Sequence, residues 1–226
     1  MTTMQKMGGV AALINGVAYI IGMGLFFTFL GPLMEANPAE YLAFMVDNQG
    51  LMATWNLIIY LVTGVFTVPL ALALHDRLKD SAPALMQVAT AFGLVWVATV
   101  ISSGMVIIND LGVLGDIHAK DPAQAATVWL SLSAVEHGLG GAIELPGGLW
   151  VLLTSLAGLR SASLPKALNY FGLVVGAAGI VMVVPALGEA GSVFGLGAIV
   201  WFLWVGIVLL RSGRRAHTIA GARLAS

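Results

Sequence analysis

Long apolar stretches separated by short charged ones run the length of the chain. Between Lys6 and Glu35 lie 28 uncharged residues, between Asp47 and Asp76 another 28, and between Asp80 and Asp110 there are 29. Lys166 to Glu189 leaves 22, and Glu189 to Arg211 leaves 21. About 20 apolar residues carry a helix across the ~30 Å hydrocarbon layer, so each gap holds one span. Between Glu144 and Arg160 only 15 residues remain, too few for a crossing. Extending that segment back through Gly140 and Gly141 reaches spanning length and carries Glu144 below the membrane surface. The pattern predicts six spans, near 8–30, 51–74, 84–108, 139–159, 166–187 and 191–210, in a single transmembrane domain over 1–226. All should be helices, because hydrocarbon offers no partner to the backbone of an open strand. The ~10-residue polar–apolar alternation of barrel strands is absent. The first apolar stretch exceeds the 7–15 residues of a signal-peptide core and no convincing cleavage site follows, so it reads as a retained helix.

The loops predict further elements. Asn37-Pro38-Ala39-Glu40 and Asp121-Pro122-Ala123-Gln124 both look like helix starts, with a capping Asn or Asp and Pro in the first turn. Short amphipathic helices follow near 38–48 and 122–136. After Pro38, the apolar Tyr41, Leu42, Phe44 and Met45 gather on one face, as in a helix lying in the interface. Pro38 to Arg77 and Pro122 to Arg160 are nearly equal distances, so the first two hairpins resemble a parallel repeat. Small residues four apart, Ala18 and Gly22, Gly172 and Gly176, Gly191 and Gly195, supply sites for close helix packing.

Charge then sets an orientation. With six spans, nine of the ten Lys and Arg residues fall on the side of the two termini and only Lys120 on the other. By the positive-inside rule the N-terminus, the C-terminus and the 211–226 tail are cytoplasmic. Composition closes off other classes. Of the 226 residues 59% are hydrophobic and 9% charged, and the net charge is −1. An average soluble domain carries about 25% charged residues. No basic block invites nucleic acid. The absence of cysteine removes disulfides, thiolate nucleophiles and cysteine-ligated metals.

Chemistry concentrates in Glu136-His137-Gly-Leu-Gly-Gly-Ala-Ile-Glu144-Leu-Pro146. Counting back from Arg160 at ~1.5 Å per residue places Glu144 inside the outer boundary, where a carboxylate needs a wet cavity or a partner. Glu136 and His137 lie seven or eight residues before it, on nearly the same helical face. Pro146 is expected to free the carbonyl of Ala142 and Gly147-Gly148 to loosen the helix below it, which suits a cation or proton site. The competing reading is packing, with Glu144 bonded to Asn15, Tyr19, Asn56 or Tyr60. Haem, retinal, HExxH zinc and serine-nucleophile chemistries all lack the necessary side chains in the spans. Asp110, Asp116, His118, Glu136 and His137 could gather on a divalent ion, but no spacing demands it.

Glu144, Gly147-Gly148, Trp150, Leu152-Leu153, Arg160, Leu164-Pro165 and Asn169-Tyr170 before Gly172 and Gly176 carry a resemblance that continues in Lys6, Gly8-Gly9 and the glycine-rich first span. With these the chain resembles a bacterial integral-membrane family catalogued as a domain of unknown function (family 4386). The resemblance implies a six-helix membrane protein and brings no activity or site residue.

The expectation is an all-α polytopic protein of the bacterial cytoplasmic membrane, a six-helix bundle with one or two short outer helices. Its function is read as binding or moving an ion or small molecule through an outward-facing polar pocket around Glu144, with Glu136, His137, Asn56 and Tyr60 as further candidates. The alternative is a non-catalytic subunit or scaffold in a membrane complex. Enzyme activity is not favoured, and no cofactor or metal is expected. The partners expected are the bilayer, a small-molecule or cation ligand and another membrane protein.

Overall fold

In the computed structural model, residues 2–33, 36–141, 144–161 and 163–224 are described, the side chains of 212–224 excepted. Among these residues there is no strand. The helices are α1 (Thr3–Leu25), α2 (Pro38–Asp47), α3 (Gln49–Asn56), α4 (Thr63–Leu78), α5 (Pro83–His118), α6 (Pro122–Glu136), α7 (Leu145–Arg160), α8 (Lys166–Val181) and α9 (Ala190–Leu224). Two wider, π-helical turns interrupt the series, π1 (Phe26–Leu30) and π2 (Leu57–Val62), and a third turn, π3 (His137–Gly141), is a kink with non-helical backbone at Gly140.

Five helical stretches are long and apolar enough to cross a membrane: Thr3–Leu33, Gln49–Leu78, Pro83–His118, Pro122–Arg160 and Ala190–Arg211. Their side-chain distribution fits a lipid solvent. Large apolar groups such as Phe27, Val65, Met105, Val174 and Val200 are exposed, whereas Asn15, Asn56, Ser103, Thr154 and Asn169 are buried. A water-soluble protein sorts these the other way. The chain is thus a helical membrane protein by length, composition and sidedness of its polar groups. The segment expected as a span over 166–187 is shorter: α8 ends at Val181, and Pro185 opens a 3₁₀ turn over Pro185–Leu187. Sixteen residues reach ~24 Å at 1.5 Å each, short of the hydrocarbon thickness.

Other boundaries also moved, for local reasons. Helix α5 runs past the expected end at 108 to His118. Asp110 and Asp116 end the apolar pattern, but no proline or glycine pair ends the helix. Pro146 was expected to break a span; it occupies the first turn of α7, where an absent N–H costs nothing. The carbonyl of Ala142 lies outside the described residues. The break itself is at Gly140, whose φ of 136° is a left-handed value that favours glycine. The expected caps are present. Asn37 Oδ1 accepts from the backbone N–H groups of Ala39 and Glu40, and Asp121 Oδ1 from those of Ala123 and Gln124, all at 3.0 Å.

By backbone contacts the chain divides into two compact units. The first comprises Met1–Val17, Val65–Val97 and Glu144–Ser226; the second comprises Ala18–Gly64 and Ala98–Ile143. In the first unit α7 and α8 cross at glycine. A Cβ on Gly148 would stand 2.7 Å from Gly179 C and 2.8 Å from Gly176 O, so the two backbones touch. Gly147-Gly148, expected to loosen the helix, instead admits its closest neighbour. Asn15 Nδ2 donates to Thr67 Oγ1 at 2.8 Å, tying α1 to α4 inside the bundle.

In the second unit α2 packs on α6. Tyr41 stacks on Trp129, and Leu42, Leu114 and Ala125 form a buried cluster beneath them. A second cluster joins Leu30, Met45, Met52 and Leu111. All three turns belong to this unit. Thr28 Oγ1 donates to Gly24 O at 2.7 Å and Thr63 Oγ1 to Ile59 O at 2.5 Å.

Candidate functional site

Within the second unit lies a cavity of about 700 Å³. The π turns shape it: Phe26 comes from π1, Tyr60 from π2 and His137 from π3, while Asn56 and Glu136 stand immediately before π2 and π3. Such single wide turns re-aim side chains and recur at functional sites. Aromatic rings make much of the wall. Phe26 stacks on Trp55 with centroids 6.3 Å apart and 26° between planes. Tyr41 stacks on Trp129 at 5.3 Å and 28°. Trp55 is held in place by its indole N–H, which donates to Gly22 O at 2.9 Å.

Polar groups are few and converge. Asn56 is buried and its Nδ2 donates to Met52 O at 2.8 Å. Glu136 is half-buried at the end of α6, where Ser103 Oγ donates to its backbone carbonyl at 3.1 Å. That bond fixes the end of α6 against α5. His137 is exposed at the cavity edge. Among the described residues neither Lys nor Arg lines the cavity. Burial, and secondarily the charge of Glu136, push the Tyr41 phenol above its ordinary value of 10.0, so it faces the site as a neutral hydroxyl.

The candidates named from the sequence are distributed as follows. Asn56, Tyr60, Glu136 and His137 all line this cavity. Glu144 belongs to the first unit. There it precedes α7, and its carboxylate accepts a short hydrogen bond from the Trp96 indole N–H. Trp96 in turn contacts Trp150 and Phe202 in a buried aromatic cluster. Of the packing partners expected for Glu144, Asn15 is engaged with Thr67; the partner found is Trp96, 48 residues away in sequence. Among the described residues no three His, Asp or Glu side chains gather to hold a metal.

Sequence reasoning missed the aromatic wall, and it joined Glu136 to its neighbour only within a possible divalent-ion cluster. That neighbour is Asp110 of α5, whose carboxyl lies within hydrogen-bonding reach of Glu136. Asp110 had a weak signal, an acid just beyond an apolar stretch, but no periodicity joins it to α6.

The model of one family, described as a domain of unknown function (DUF4386), matches residues 7–213. The chain belongs to this family. The match runs through both units, so both are part of what defines the family. No curated protein and no solved structure gives a significant match.

Proposed function

We propose that this DUF4386 member is a multi-pass protein of the bacterial cytoplasmic membrane that binds, and through binding moves, a small molecule in the outward-facing cavity of its second unit. The observation that carries the reading is one cavity in which stacked aromatic walls meet Asn56, Tyr60, Glu136 and His137. Ligand sites are commonly apolar concavities of this size with a few convergent polar groups. In this reading α8 completes a sixth crossing together with the turns after it, and both termini lie in the cytoplasm. Glu144 takes the structural part, holding Trp96 at the start of α7, and the ligand-binding carboxylate is Glu136.

Equilibrium dialysis of the detergent-purified full chain against three probes of similar shape tests it. The probes are tetraphenylphosphonium, triphenylphosphine oxide and tetraphenylborate, which differ in charge. Saturable binding of at least one is expected, and Ala134→Trp, a bulky group on an exposed lining position, should abolish it. No binding by any probe, or binding indifferent to Ala134→Trp, would reject the cavity as a ligand site and favour a scaffold in a membrane complex.

A further inference from the structure

Helix α5 brings Asp110 against Glu136. Asp110 is only 8% exposed. Its Oδ1 accepts a long 3.3 Å bond from Asn109 Nδ2, and its buried Oδ2 receives no hydrogen bond from the described residues. The group in reach of this side chain, the Glu136 carboxyl, brings no hydrogen of its own when ionised. Two carboxylates in contact, one of them buried, repel each other strongly, and a proton or another cation lying with them relieves that repulsion. Among the described residues the cavity wall supplies no Lys or Arg to do this. It supplies ring faces, which attract organic cations through their quadrupole. Glu136 belongs to both the cavity lining and the acid pair.

We propose that the cavity takes an amphipathic organic cation, and that the cation displaces one proton held between Asp110 and Glu136. This rests on the reading of the cavity as a ligand site. The exchange balances: the O–H bond of the shared proton breaks, its electron pair stays on the carboxylate, and the proton leaves to solvent. The arriving positive charge replaces the departing one, so the net charge of the site is the same before and after the exchange. Among the described residues the other titratable groups lining the cavity are Tyr41, Tyr60 and His137. The phenol of Tyr41 is neutral below pH 10. His137, when protonated, would also repel a cation, so its contribution has to be separated.

The test measures tetraphenylphosphonium binding by dialysis at a series of pH values, with proton release followed by an indicator dye in weak buffer. One proton should leave per cation bound, and affinity should rise about tenfold per pH unit while the pair keeps its proton. Tetraphenylborate should not bind. Glu136→Gln should abolish binding and release together. Asp110→Asn should bind the cation with no proton released and a flat pH profile, and His137→Gln should keep the wild-type release. Cation binding by the wild-type chain without proton release overturns the exchange, even if the acid variants fail to fold. Release that vanishes in His137→Gln and survives in Asp110→Asn overturns the assignment to the pair. Equal binding of tetraphenylborate overturns the cation class and leaves the ligand site standing. Failure of every probe overturns both.

Discussion

Glu144 and Glu136 show how neighbours only eight residues apart acquire different work. Glu144 has a donor, the Trp96 indole, and sits beside the aromatic cluster of the first unit. Glu136 meets a second acid, Asp110, instead. If the Trp96 bond is what Glu144 provides, an uncharged acceptor of the same shape should serve nearly as well. Glu144→Gln is therefore expected to change stability by less than about 1 kcal/mol, whereas Glu144→Ala, which strands the indole N–H, should cost about 1.5–3 kcal/mol. Reversible unfolding in mixed micelles measures both. A Gln variant as unstable as the Ala variant would show that the charge itself matters. That an acid stands here was legible in the sequence, because the fourth apolar gap is too short. Its partner was not, since contacts 48 residues apart leave no periodic trace.

At the scale of helices, capping and packing differ in how far the sequence announces them. Asn37-Pro38 and Asp121-Pro122 act within four residues, and the helix starts they predicted are present with both side-chain bonds made. Glycines act on whatever crosses them, which is not local. Gly172 and Gly176, read as packing sites, do pack: Gly172 meets Ser155 and Trp201, and Gly176 meets Leu152 and Gly148. Gly195, read the same way, has nothing within 4 Å of its missing side chain. Gly148, read as loose, meets the α8 backbone at Gly176, Gly179 and Ile180. The contrast gives a paired prediction. Gly148→Ala should destabilise the α7–α8 crossing by about 1–3 kcal/mol or more, because backbone cannot rotate away as a side chain does. Gly195→Ala should lie within about 0.5 kcal/mol of the parent, as substitutions away from packed features do. Thermal unfolding of the two variants in the same detergent decides it, and equal melting temperatures would deny that the crossing is tight.

For the whole molecule the open quantity is the number of crossings, and it has a geometric consequence. The apolar gaps announced long helices correctly because lipid exposure acts on every residue of a span. They could not announce where α8 stops, since Met182, Val183 and Val184 remain apolar after the helix has ended. Five crossings would put the two termini on opposite sides of the membrane; six put them on the same side. The Lys and Arg distribution favours six with both termini cytoplasmic, since α8 is flanked by Arg160 and Lys166 on one side and the chain returns through α9 to Arg211. The absence of native cysteine makes the measurement clean. Single cysteines placed as Thr2→Cys, Ala119→Cys and Ser226→Cys can be challenged with a membrane-impermeant maleimide on intact cells. Ala119→Cys, between α5 and α6, is expected to label, and the two terminal variants only after the membrane is opened. Labelling of Ser226→Cys on intact cells, with Thr2→Cys still protected, would mean that α8 does not cross. The proposed outward side of the cavity, which is set between α2, α3, α5 and α6 of the second unit, would survive that result, because it depends on the crossings before Lys120 and not on α8.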